Sequence, residues 1–260
     1  MDTILNTFLL FYIFCFAGWI WETSFISLKH KKFVNRGFLN GPYIPIYGFG
    51  GILVYLVLQR YSTTLVDINS IHIYLYGCIF ATIVEYITSF LLEKIFKARW
   101  WDYSCDFLNL NGRICLVASL FWGFLSVIFV QVINPFLLTK VNILSHDLKL
   151  IIVTSMSTTM LIDLAITINA IINLEQKLTS IVKFEGQKLS NIKDKLSELT
   201  ELPSEYKQMI IDYKDKLYNI DNPFSKRIVN AFPKLKFTSD EKQNVFLKLK
   251  NIKKNITNKK

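Results

Sequence analysis

Five stretches of the chain are almost continuously apolar, and the short segments between them collect Lys, Arg, Asn and Asp. They lie near Ile4–Leu28, Tyr43–Leu58, Ile71–Leu92, Ile114–Ile133 and Leu148–Ile172. A helix needs roughly 17–25 such residues to cross about 30 Å of hydrocarbon. The pattern predicts an all-α, polytopic membrane helix bundle of about five spans. Tyr43–Leu58 is the shortest stretch and is the one that either spans or re-enters. The first stretch lacks a basic start and a small-residue cleavage site, so it is expected to stay as a membrane helix.

After Asn173 the pattern changes to a helical period. Leu189, Ile192, Leu196 and Leu199 form one amphipathic stripe, and Tyr206, Ile210, Tyr213, Leu217 and Ile220 form a second after Pro203. These two would fold back as a hairpin or pair with a partner. A third helix is expected near Ser239-Asp240-Glu241, with Val245, Phe246, Leu249 and Ile252 on its apolar face and lysines suited to a membrane surface. The chain thus divides into a bundle, residues 1–172, and a cytoplasmic basic helical tail, residues 173–260.

Composition agrees with the pattern: 52% of residues are hydrophobic and the mean hydropathy is +0.32. Charge adds an orientation. The segment after the first span holds Lys29, Lys31, Lys32 and Arg36, and the one after the third holds Lys94, Lys97, Arg99 and Arg113. The intervening segments are poor in Lys and Arg. Positive residues stay inside, so the N-terminus is expected outside and the tail in the cytoplasm of a bacterial cell. The tail carries 19 basic and 11 acidic residues, hence +8 of the net +10. Such a charge suits anionic lipid heads, and no nucleic-acid-binding motif accompanies it. Cys15, Cys78, Cys105 and Cys115 have no ligand spacing and are expected as free thiols. His30, His72 and His146 are scattered, and neither a metal nor another cofactor is implied.

Ionisable groups within apolar spans are costly, so they are the first candidates for function. Glu85 shares a helix face with Thr82 and Ser89. Ser155, Thr159, Asp163 and Thr167 recur at four-residue spacing and suggest a polar stripe turned toward other helices or water. Glu85, Thr159, Asp163 and Thr167 are therefore candidates for an intramembrane path. Glu22 follows Gly18-Trp19-Ile20-Trp21, whose tryptophans read as an interfacial belt, and it would pair with Arg36 across a short loop. Five of the ten glycines fall between Gly37 and Gly51, which suggests close backbone packing. By the topology above, Glu22, Asn35, Arg36, Asn40, Glu85, Asp102 and Arg113 would converge near one depth. Such a set would hold an anionic head or move a proton, or serve only as a salt-bridge cluster. No catalytic signature such as a nucleophile elbow or HExxH is present.

Gly18-Trp19-Ile20-Trp21-Glu22, Asn35–Gly48, Glu85-Tyr86, Trp100-Trp101-Asp102-Tyr103-Ser104 and Gly112-Arg113-Ile114-Cys115, in that order, resemble a family of bacterial membrane proteins called "putative ABC-transporter type IV". Asp221–Lys236, with Arg227 and Phe232-Pro233-Lys234, resembles the family's tail. Ile44 departs from the pattern, since a cysteine is expected there. The resemblance implies a transporter permease. No Walker motif occurs in this sequence, so ATP hydrolysis would need a separate ATPase subunit. A homo-oligomer is compatible with this organisation. Alternatives from other classes are an intramembrane enzyme acting on a lipid or amphiphile at the cytoplasmic interface, and a scaffold whose tail recruits partners.

Overall fold

Helix α1 (Asp2–His30) runs from one end of the molecule to the other before the chain breaks into an irregular loop. Helices α2 (Pro45–Tyr61) and α3 (Ser70–Phe96) follow, then a second loop, then α4 (Leu116–Val127), α5 (Asn134–Ile143) and α6 (His146–Leu196). In the tail, α7 (Pro223–Ala231) precedes a short helix over 240–247. Strand β1 (Ala98–Arg99) pairs antiparallel with β2 (Lys236–Phe237), Ala98 opposite Phe237. This is a computed structural model that describes residues 2–61, 68–196, 222–232 and 234–247, with side chains omitted over 60–61 and 184–196.

Among the described residues, four helical segments are long and apolar enough to cross a membrane: Asp2–His30, Ser70–Phe96, Leu116–Ile143 and His146–Lys183. At 17 residues α2 is shorter, and spans about 25 Å. It nonetheless runs most of the way along the bundle, because Leu58 shares a core cluster with Leu10 of α1 and Ile73 of α3. Gly48 permits this course: a Cβ there would collide with Cys15 and the Phe11 ring on α1. α3 packs along α4, α1 along α2, and α6 against α1.

The helix beginning at Leu116 passes the point where the apolar stretch ends at Ile133 and continues to Ile143. Pro135 has no N–H for a regular helix, and a π-helical turn over Ile128–Ile133 absorbs the mismatch. α3 starts where the Asn69 side chain accepts from the Ile71 N–H, and ends where Lys97 adopts a left-handed conformation with φ of 52°.

Loops 31–44 and 97–115 and the tail meet at one end of the bundle. The Thr238 N–H donates to the Lys97 carbonyl at 2.9 Å. Leu178, Ile181, Ile228, Phe232, Val245 and Phe246 form a core with Trp100 of the second loop. α6 continues unbroken through residues 172 and 173 to supply one wall of this core. Val245 and Phe246 are buried here and do not line a membrane-facing stripe; Leu249 and Ile252 lie outside the described residues. The first amphipathic stripe begins within α6, and the second lies outside the described residues.

Candidate functional site

The seven polar residues expected at one depth separate into three groups, because each arginine takes the carboxylate or carbonyls nearest its own loop. The first group surrounds Asp163. Its Oδ1 accepts from the Asn40 backbone N–H at 3.0 Å and side-chain amide at 2.8 Å, and its Oδ2 accepts from the Gly41 N–H at 2.6 Å. The Asn40 amide also donates to Thr167 at 3.0 Å. Asn35 prepares the loop by accepting from Trp19 Nε1 at 2.8 Å and donating to the Asn40 carbonyl at 2.7 Å. Trp19 is thus tied to the loop and is not simply an interfacial belt residue.

Arg227 of α7 completes this group. It donates to Asn40 Oδ1 and to the Gly37 and Phe38 carbonyls, each at 2.7 Å. Burial draws its pKa below the ordinary value and nearby Asp163 opposes that, but a guanidinium remains charged in either case. Carboxylate, amide loop and guanidinium therefore form one continuous clamp.

Ser155 and Thr159 do not join it. Both are exposed, and the Thr159 hydroxyl donates to the Ser155 and Met156 carbonyls of its own helix. Four-residue spacing drifts by about 40° per step on a helix of 3.6 residues per turn. Over three steps the supposed stripe turns by about 120°, so its first half leaves the face that Asp163 and Thr167 occupy.

The second group, around Glu93, holds Arg113. Arg99 pairs with Glu93 through two contacts at 2.8 and 3.2 Å, and Arg113 Nη2 adds a third at 2.9 Å. The Arg113 guanidinium lies over the Tyr86 and Phe90 rings. Asp102 works nearby as a loop brace, accepting from the Ser104 N–H at 3.0 Å and the Ser104 hydroxyl, with Lys236 at 3.8 Å. Burial resists its ionisation, but the Ser104 hydrogen bonds, Lys236 and Arg99 hold its pKa below the ordinary value. Neither Asp102 nor Arg113 joins Glu22 and Glu85.

The third group lines a cavity of about 1000 Å³. Glu22, Arg36 and Glu85 stand toward the end nearest the loops, and the cavity wall continues along α1 to Thr7. Arg36 Nε lies 3.5 Å from Glu22 Oε2, and the Tyr47 hydroxyl donates to Glu22 Oε1 at 3.1 Å. Gly18 makes this possible, since a Cβ there would overlap the Tyr47 ring. Arg36 also donates to the Ala231 carbonyl at the end of α7 and stacks over Phe232, 5.0 Å from the ring centroid.

Glu85 is only 4% exposed. Its Oε2 accepts from Trp122 Nε1 at 2.8 Å and its Oε1 from the Tyr103 hydroxyl at 3.2 Å. Tyr47 packs edge-to-face on Trp122 with centroids 4.9 Å apart. Burial first, and the Glu85 charge second, push the Tyr103 phenol well above its ordinary pKa, so it remains a donor.

A polar end of fixed geometry thus opens into a long apolar chamber within a helix bundle. The sequence profile of the family described as "Putative ABC-transporter type IV" matches residues 9–168, the stretch holding both loops, Glu22, Glu85 and Asp163. The chain belongs to this family. Among curated proteins and solved structures none matches it. Arg227 and Phe232, which seat the tail on the ABC-transporter type IV region, lie beyond the matched residues.

Tyr47, Tyr103, Trp122 and Arg227 were not among the residues singled out for function from sequence. Trp122 carries no local signal, since aromatic residues are abundant in the spans, whereas Tyr47 and Tyr103 lie within Asn35–Gly48 and Trp100–Ser104, strings that the family resemblance already marks. The tail resemblance at Arg227 was a usable one.

Proposed function

We propose that this chain is the membrane-embedded permease component of an ABC-type transport system, receiving an amphiphile from the bilayer into the cavity between its helices. One observation carries the reading. The cavity joins a long wall of aliphatic and aromatic side chains to a terminal set of Glu22, Arg36 and Glu85, which is the form an apolar chain with a polar head requires. Helices of membrane-spanning length around it would keep such a ligand in contact with lipid.

The distribution of Lys and Arg supports an N-terminus outside and the loop-and-tail end in the cytoplasm of a bacterium, with α2 as a fifth crossing. A separate ATPase subunit would then dock on that end, where loops 31–44 and 97–115 and α7 lie together. Residues 1–172 would form the conducting bundle and residues 173–260 the docking tail. Asp163 and Thr167 brace this assembly, while Glu85 faces the substrate.

The test is a mild-detergent pull-down of the tagged protein from its own membranes, with subunits identified by mass spectrometry. A nucleotide-binding subunit in stoichiometric amount is the expected result. A protein that purifies alone and turns over a lipid by itself would establish the second reading, an intramembrane enzyme. The observation favouring that reading is the Glu85–Tyr103 pair, a carboxylate and a phenol at 3.2 Å facing the same cavity.

A further inference from the structure

Of the five carboxylates in these three groups, one has neither a cation nor a backbone amide beside it. Glu93 is held by Arg99 and Arg113, Glu22 by Arg36, and Asp102 by Lys236. Asp163 has two backbone amides and Asn40, with Arg227 bound to the far side of that same Asn40. Glu85 has two neutral donors, Trp122 and Tyr103, and no Lys or Arg among the described residues pairs with it. It is also the most buried of these five carboxylates and lines the cavity.

The indole N–H can only donate, so Glu85 Oε2 is an acceptor, and a cation entering beside it would stabilise the ionised carboxylate. A buried charge with no partner of opposite sign is costly. The surface it shares is aromatic: Trp122 and Tyr103 meet it through their N–H and O–H edges, and Tyr47, Trp101 and Trp21 line the same cavity. Ring faces attract cations, and such cages are a recurrent way to recognise quaternary ammonium. An anionic head would meet the opposite situation. Glu22 and Glu85 would repel it, and Arg36 is already committed to Glu22, the Ala231 carbonyl and the Phe232 ring.

Resting on the reading of the cavity as an amphiphile site, we propose that its ligand is a cationic amphiphile, with an ammonium head seated between Glu85 and the surrounding rings. Its chain lies along α1. Between Glu22 and Thr7, both on the cavity wall, the helix rises about 22 Å, which is room for a long hydrocarbon tail. Glu85 supplies the counter-charge, and the aromatic wall excludes water around the pair.

The test compares three ten-carbon probes on the full-length protein in a non-ionic detergent: decyltrimethylammonium, decanoate and decanol. Binding is read from the saturable change in tryptophan emission. The expected result is a preference for the ammonium of about tenfold over either other probe, lost in Glu85→Gln. Labelling of Glu85 by dicyclohexylcarbodiimide, followed by peptide mass spectrometry, is expected to be suppressed by the ammonium and not by decanol. Equal binding of all three probes, a preference for decanoate, or labelling that the ammonium leaves unchanged would overturn the cationic head while leaving the amphiphile site standing. Saturable binding of none would overturn the amphiphile site itself, and this proposal with it. Should Glu85→Gln fail to accumulate as a monodisperse protein, the wild-type ranking and the labelling decide.

Discussion

Arg227 Nε donates to Asn40 Oδ1 at 2.7 Å across 187 positions of sequence. The same amide donates on its other side to Asp163, so one asparagine joins the tail, the first loop and α6. A guanidinium and a carboxylate on opposite faces of one amide polarise it in the same sense, which strengthens both bonds. This clamp sets where α7 sits, and with it the position of Phe232 on Arg36 at the cavity.

Replacing Arg227 by Ala removes three hydrogen bonds, two of them to loop carbonyls, and is expected to destabilise tail docking by about 2 kcal/mol. Arg227→Lys should recover little, because an ammonium cannot reproduce the planar fork that meets Gly37, Phe38 and Asn40 together. Limited proteolysis reads this directly. Cleavage between α6 and α7 should accelerate in both variants, and a Lys variant as resistant as the wild type would show that charge alone suffices.

Asp163→Asn is expected to cost stability, by about 2–3 kcal/mol. The Gly41 N–H and the Asn40 N–H both need an acceptor, and an amide turned to serve one presents its own donors to the other. Thermal unfolding followed by tryptophan emission measures the loss. A variant as stable as the wild type yet unable to transport would instead place Asp163 on a conduction path.

Gly18→Ala tests the link between α1 packing and the cavity. The added methyl meets the Tyr47 ring, which also packs edge-to-face against Trp122. Overpacking of this kind costs about 1–3 kcal/mol. The Tyr47 hydroxyl should also lose its bond to Glu22. Decreased melting temperature together with altered accessibility of Glu22 to carbodiimide is the expected result, and an unchanged melting temperature would show that Tyr47 swings aside freely.

Acidification should loosen the 97–115 loop through Asp102. Its folded pKa lies below the unfolded value of about 3.9, so its contribution is complete above that pH and disappears as pH falls through the folded pKa. Asp102→Asn should therefore cost about 1 kcal/mol at neutral pH and progressively less below about pH 4. Unfolding curves for the two proteins, taken at pH 7 and at successively lower pH, should converge. Parallel curves at every pH would assign the stabilisation to Asp102's geometry and not to its charge.

Hydrophobic pattern alone was enough to locate the long membrane helices, because crossing lipid demands internally hydrogen-bonded backbone and a run of apolar side chains. The family was equally legible, since Gly18–Glu22, Asn35–Gly48 and Trp100–Ser104 are local strings read without knowing their neighbours. The extent of the fourth helix was less so. The apolar stretch ends at Ile133, whereas the helix continues through a π-helical turn beside Pro135 to Ile143.

The grouping of polar residues belonged to tertiary structure. Arg36 and Arg113 are alike in kind and in the end of the bundle they occupy; Arg36 takes Glu22, the partner expected across its short loop, while Arg113 turns away from Glu22 and Glu85 to Glu93. Those choices depend on loop geometry within a few ångströms, which side-chain spacing does not encode. Glu85 was visible in the sequence as a costly charge in an apolar span. That it is braced by Trp122 and Tyr103, faces a chamber, and has no arginine at hand was decided by packing of α3 against α4 and of the second loop over both. Sequence determined which residues must be shielded from lipid; the fold decided what each of them would meet.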